Sequence, residues 1–103
     1  MMPAEHKSIL ERLAGEGIHL GADTLAVDYK DGYEEVFAMK RGVGHAIAML
    51  RSSSAEAAAL RDELHAIARR KRRITVDGCQ WELQCRVSES FGEDAFRVRL
   101  RRA

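Results

Sequence analysis

Hydrophobic and polar residues alternate from Cys79 to Val87, where Cys79, Trp81, Leu83, Cys85 and Val87 interleave with Gln80, Glu82, Gln84 and Arg86. A period of two predicts a half-buried β-strand, with one face in a core and the other in water. Phe96, Val98 and Leu100 repeat the pattern against Arg97, Arg99 and Arg101. If Val87 pairs with Phe96, Cys85 with Val98 and Leu83 with Leu100, the opposite face places Arg86 beside Arg97, Gln84 beside Arg99 and Glu82 beside Arg101. Upstream, a two-residue turn at Asp77-Gly78 would set Val76 against Cys79 and Ile74 against Trp81, and would bring Arg73 onto the basic face. Trp81 is then expected in the core of the central C-terminal strand. The stretch from Glu89 to Asp94 reads as the loop before a last strand, Ala95 to Arg101.

The first half gives a second hairpin, Thr24 to Lys30 and Tyr33 to Lys40, about Asp31-Gly32. Its loop is either these two residues or the three residues Lys30-Asp31-Gly32 with a bulge. The choice decides which face is buried: one register puts Val36 and Ala38 in the core, the other Phe37 and Met39. Residues 43–50 are ambiguous, because Val43, Ile47 and Leu50 also fit a helical face. The apolar run Ala46 to Leu50, bounded by turn signals, favours a buried strand.

Two amphipathic helices complete the set. Pro3 to Ala14 has Ile9, Leu10 and Leu13 as its stripe and Gly15 as its stop. Ser54 to Arg70 has Ala57, Leu60, Leu64 and Ile67, preceded by Ser53 and Glu56 at capping-box spacing. The predicted fold class is therefore α+β: an antiparallel sheet of five or six strands with two helices packed on one face, in the order α-β-β-β-α-β-β-β. At 103 residues the chain is expected to form one domain, since two would each bury too little. Residues 1–51 and 52–103 each read as an αβββ unit, which raises an internal duplication as a hypothesis.

Composition narrows the class without naming an activity. A hydrophobic content of 46% with 32% charged residues is that of an ordinary globular domain and excludes a disordered chain. The net charge of +1 hides an asymmetry: residues 1–60 hold six Lys and Arg against nine Asp and Glu, residues 61–103 eleven against seven. Cys79 and Cys85, about 20 Å apart at ~3.3 Å per residue of strand, are too distant for a disulfide and are expected as two buried thiols. No signal peptide or apolar span is evident, so the expected location is the cytoplasm, with no membrane partner.

The candidate chemistry is sparse. Arg73, Arg86, Arg97, Arg99 and Arg101 form the candidate binding face, suited to phosphates or acidic surfaces. That face is expected to lack the exposed aromatics that single-strand binders use, with Glu82 interrupting its charge. The run Arg69 to Arg73 reads as a helix-end cation cluster. Lys40, Arg41, Gly42 and Gly44 make a weak anion-loop candidate, without the third glycine of a dinucleotide site or the Lys-Ser/Thr of a P-loop. Glu34-Glu35, Asp28 and Asp31 read as solvated acids around a turn. His6, His19, His45 and His65 have no metal spacing, and no nucleophile motif appears. No metal, cofactor or catalytic residue is assigned. The expectation is a small, non-catalytic binding or interaction domain, with self-association or a protein partner favoured. The alternative is a nucleic-acid-binding module that uses the basic sheet face, and an enzyme would need carboxylates or His45 gathered in a pocket.

Overall fold

The computed structural model describes residues 7–90 and 92–103. Its elements are α1 (Ile9–His19), β1 (Thr24–Lys30), β2 (Tyr33–Lys40), β3 (Val43–Arg51), α2 (Ala55–Arg69), β4 (Arg72–Val76), β5 (Cys79–Ser90) and β6 (Glu93–Arg102). The fold is α+β, and the ambiguous segment is a strand, but an edge strand with no buried residue and not the buried strand expected, because no further strand pairs beyond it among the described residues. All six strands form one antiparallel sheet in the order β3-β2-β1-β6-β5-β4. Each half contributes a three-stranded meander, and β1 and β6 join the two.

Two-residue turns fix the registers. Lys30 pairs with Tyr33 around Asp31-Gly32, and Val76 with Cys79 around Asp77-Gly78. Asp31 and Asp77, each at φ 51°, and Gly32 and Gly78, at φ 86° and 78°, supply the two left-handed residues of a hairpin turn whose twist matches the strands. The short loop settles the open register: Val36 and Ala38 are buried, and Phe37 and Met39 turn to the other face. The C-terminal pairings fall as the alternation requires, Val87 with Phe96, Cys85 with Val98 and Leu83 with Leu100.

One hydrophobic core lies between the sheet and both helices. Leu10, Leu13, Leu60, Leu64 and Ile67 from the helices meet Leu25, Val27, Val36, Leu83, Phe96 and Val98 from the strands. Both helices therefore cover the same face, and among the described residues no helix packs on the other.

Several expectations are corrected in detail. The proposed helix start at Pro3 lies outside the described residues. The helix does not stop at Gly15; it runs on to His19 and closes with a Schellman pair, Ala22 N–H to Gly17 O and Gly21 N–H to Ile18 O, both at 2.9 Å. An interior glycine costs about 1 kcal/mol, which burial of the Leu10, Leu13 and Ala14 side chains offsets. Gly17 is needed for close approach, because a Cβ there would meet Leu25 Cδ2 at 2.8 Å. Ser8, whose Oγ accepts the Glu11 N–H at 3.1 Å, caps α1. The cap of α2 is Ser54, accepting from Ala57 N–H at 3.0 Å, and not Ser53. Glu56 consequently faces Arg12, 3.3 Å away, in place of a capping box. The expected loop from Glu89 to Asp94 is mostly strand, with Ser90 pairing Glu93.

Trp81 and Cys79 are half-buried, against the expectation that both lie in the core. They sit at the start of β5 and pair with Ile74 and Val76 of the edge strand β4, which are buried. The Trp81 ring lies under the Arg102 guanidinium, 5.8 Å from its centroid. Cys85 is buried, and both cysteines are free.

Candidate functional site

The alternation that fills the core also sorts the side chains of the uncovered face, and the register lines them up across the sheet. One row runs Ala46, Phe37, Ala26, Arg97, Arg86 from β3 to β5. The next runs Gly44, Met39, Thr24, Arg99, Gln84. Beyond them Arg101 pairs with Glu82, which pairs with Arg73. The five predicted arginines thus share one face, all of them exposed. The expected lack of exposed aromatics needs one refinement: Phe37 and Tyr33 belong to this face, both half-buried rather than exposed, with Met39 and the exposed Met49. The face divides into an apolar part on β2 and β3 and a cationic part on β6 and β5.

The cationic part places like charges in opposition. Arg86 and Arg97 are direct cross-strand partners, an arrangement that works against the fold when nothing neutralises it. Arg97 has some relief from Asp28, with Nη1 to Oδ1 at 3.0 Å, and also donates to Phe96 O at 2.9 Å. Among the described residues, Arg73, Arg86, Arg99 and Arg101 form no ion pair. Glu82 is engaged by Lys71 at 3.8 Å, which weakens its interruption of the basic face. A shallow groove of about 360 Å³ lies among Thr24, Gln84, Cys85, Arg86, Arg97 and Arg99. A second open hollow shares Thr24 and Arg99 with it and is also lined by Asp23, Leu100 and Arg101. Acids mark the opposite boundary, where Asp28 and Glu35 are partners.

The cluster from Arg69 to Arg73 is divided by the strand start. Arg72 turns to the helix side, where it pairs with Glu11 and donates to Glu63 at 2.9 Å, while Glu63 accepts the Leu10 N–H at 3.2 Å. This clamp fixes both helices on the sheet and removes Arg72 from any patch, leaving Arg73 on the open face.

The glycine-containing loop is a turn between β2 and β3. Arg41 and Gly42 have φ of 52° and 82°, and the Arg41 N–H donates to Asp23 Oδ2 at 3.2 Å. A carboxylate of the chain therefore takes an amide that an anion would use. That bond, followed by one from the Thr24 hydroxyl, holds the Asp23 carboxyl below its ordinary value. Lys40 turns to the helix side against Gly21. At Gly44 a Cβ would meet Met39 Sδ at 2.7 Å, so this glycine makes room for a side chain of the open face.

One group was missed by the sequence reading. Glu34, expected as a solvated acid, is 3% exposed. It accepts from Ser52 Oγ at 2.6 Å and faces Arg61 Nη1 at 3.5 Å. The available signal was parity, since Glu34 falls on the same strand face as Val36 and Ala38. A hollow of about 350 Å³ beside it is lined by Tyr29, Glu93 and Asp94 among others. With its carboxylate already held by a hydroxyl and a guanidinium, Glu34 ties β2 to α2 and is not a free base. His45 lines a different hollow with Leu20, Ala22, Ala38, Lys40 and Val43, where no carboxylate joins it. His65 pairs with Asp94 at 3.3 Å and stacks edge-on against Phe96, while His19 pairs with Asp77 at 2.6 Å. Among the described residues no group of three His, Cys, Asp or Glu is placed to hold a metal, and no helix is long and apolar enough to cross a membrane. No protein-family model matches the chain, and no curated protein sequence matches it significantly.

Proposed function

We propose that the protein is a non-catalytic binding domain that receives a polyanionic partner on the open face of its sheet. The observation behind this reading is the direct opposition of Arg86 and Arg97 on a face that no helix covers. Guanidinium groups held side by side on neighbouring strands, of which Arg86 has no ion pair among the described residues and Arg97 only that with Asp28, are arranged for phosphate or carboxylate, and a bound anion relieves their mutual repulsion. The test is retention on immobilised heparin in a salt gradient. The parent should elute well after a variant in which Arg86 and Arg99 are both replaced by Gln; co-elution of the two would count against the face.

A second reading, self-association, is favoured by the edge strand β3. Edge strands are normally guarded by charges, yet between Val43 and Leu50 the only polar side chain is His45, and Val43 and Met49 are 63% and 59% exposed. The bulge between Val36 and Phe37 pairings kinks this edge and opposes a long join. Sedimentation at micromolar concentration distinguishes a monomer from a dimer, and Met49→Lys should dissociate a dimer built on this edge.

A further inference from the structure

We infer that the polyanion is a single-stranded nucleic acid, one base of which stacks on the ring of Phe37 while its backbone follows Arg97, Arg99 and Arg86. The inference rests on the proposed function and adds the identity of the partner. Its starting point is the row Ala46, Phe37, Ala26, Arg97, Arg86. Phe37 has alanine as its register partner on both sides, so no bulky neighbour in its row walls off the ring. Arg97 lies two strand spacings away, about 10 Å at the usual ~4.8 Å between strands. A planar apolar ring beside a short cationic track is the combination by which sheet surfaces hold unpaired bases and their phosphates together.

The alternatives fit less well. A duplex keeps its bases stacked inside and would leave Phe37 without a role. An acidic protein segment would answer the arginines, but it has no need of an aromatic ring at the end of their row. A second copy of this face would set arginine against arginine. Asp28 and Glu35 lie on the other side of Phe37 and repel phosphate, and Asp23 does the same at the hollow of Arg101, so the strand is held to the hollow of Arg86, Arg97 and Arg99 between them. Tyr33 offers little further stacking, because the Arg51 guanidinium already lies 5.7 Å from its ring centroid. With a single half-buried ring to stack on, the site should be short and tolerant of sequence.

The test is fluorescence anisotropy with three labelled probes: an oligothymidylate of about twelve nucleotides, a range typical of short single-strand sites, an abasic strand of equal length, and a polyglutamate peptide of equal charge. The expected result is binding of oligothymidylate roughly tenfold tighter than of the abasic strand, the order of one stacked base. Phe37→Leu should erase that difference without changing abasic binding, and Phe37→Tyr should restore it; thermal melting of each variant checks that the fold is kept. Equal binding of oligothymidylate and abasic strand, unaltered in Phe37→Leu, would overturn the inference while leaving the polyanion reading in place. Polyglutamate binding as tight as oligothymidylate would assign the face to an acidic protein and also overturn it. No binding of any of the three would remove both readings.

Discussion

Phe37 and Arg97 stand on either side of the same residue, Ala26, as its register partners on β2 and β6. Ala26 is 2% exposed although no helix lies over it, so its cover comes from side chains of its own face. The relationship joins the apolar and cationic halves of the open face into one surface.

Arg97 is shared between that surface and Asp28, 3.0 Å away. The pair is partly exposed, so it contributes little to stability, about 0–1 kcal/mol. Asp28→Asn should therefore melt close to the parent and bind polyanions a few-fold more tightly, since Arg97 is released and an acid is removed from the boundary. Affinity unchanged or lowered in this variant would place the bound anion away from Arg97.

The two thiols should behave differently. Burial pushes the Cys85 thiol up to about 11, so its reactive thiolate is scarce at neutral pH, whereas Cys79 is half-buried at the end of its strand. A bulky maleimide should label Cys79 in the folded protein and both residues in denaturant. Intact-mass measurement counts the adducts, and rapid double labelling without denaturant would show that β5 opens locally.

Core truncations should rank by cover. Phe96, fully buried, should lose roughly 3–5 kcal/mol on replacement by Ala, which threatens the whole of a stability of about 5–15 kcal/mol. Trp81 is half-buried and should lose only about 1.5–2.5 kcal/mol, roughly half the figure for a buried aromatic. Urea denaturation of both variants checks the order, and a Trp81→Ala loss equal to that of Phe96→Ala would mean that the edge of the sheet is better covered than the structure indicates.

Asp23 should make the domain acid-sensitive. Its carboxyl accepts the Arg41 amide and lies below the ordinary 3.8 in the folded state, so folding favours the ionised form. The contribution is fully present above the unfolded value and is lost as the pH falls from 3.8 through the lower folded value. Stability curves of the parent and Asp23→Asn should run parallel at neutral pH, with the variant lower, and converge below pH 3.8. A gap that stays constant through that range would show that charge has no part in holding the turn.

Much of this fold is legible in the sequence because strands of alternating pattern and Asp-Gly turns each specify geometry locally. The pairing of Val87 with Phe96 and of Arg86 with Arg97 follows from parity alone. The face of Phe37 does not, since two- and three-residue loops at Asp31-Gly32 are both permitted by composition and give opposite parity. That single ambiguity hid the aromatic residue of the candidate site. Glu34 was hidden for another reason: a carboxylate at a core position is unfavourable by itself, and only the fold brings Ser52 and Arg61 to it. Three consecutive serines before α2 likewise leave the cap undetermined until the helix direction selects Ser54, and Gly15 reads as a stop until the burial of Ala14 and Gly17 beside it is known.

The account stands on the arginines of the open face, and the most direct test is the salt dependence of oligothymidylate binding by the parent and by the variant with Arg86 and Arg99 both changed to Gln. Each single-strand phosphate neutralised contributes a slope of about −0.7 in log affinity against log salt. The parent is predicted to show a clear negative slope, and the variant a slope shallower by about 1.4, the share of two phosphates, with a melting temperature no lower than the parent's. A parent whose affinity ignores salt, or a folded variant with the parent's slope, would contradict it.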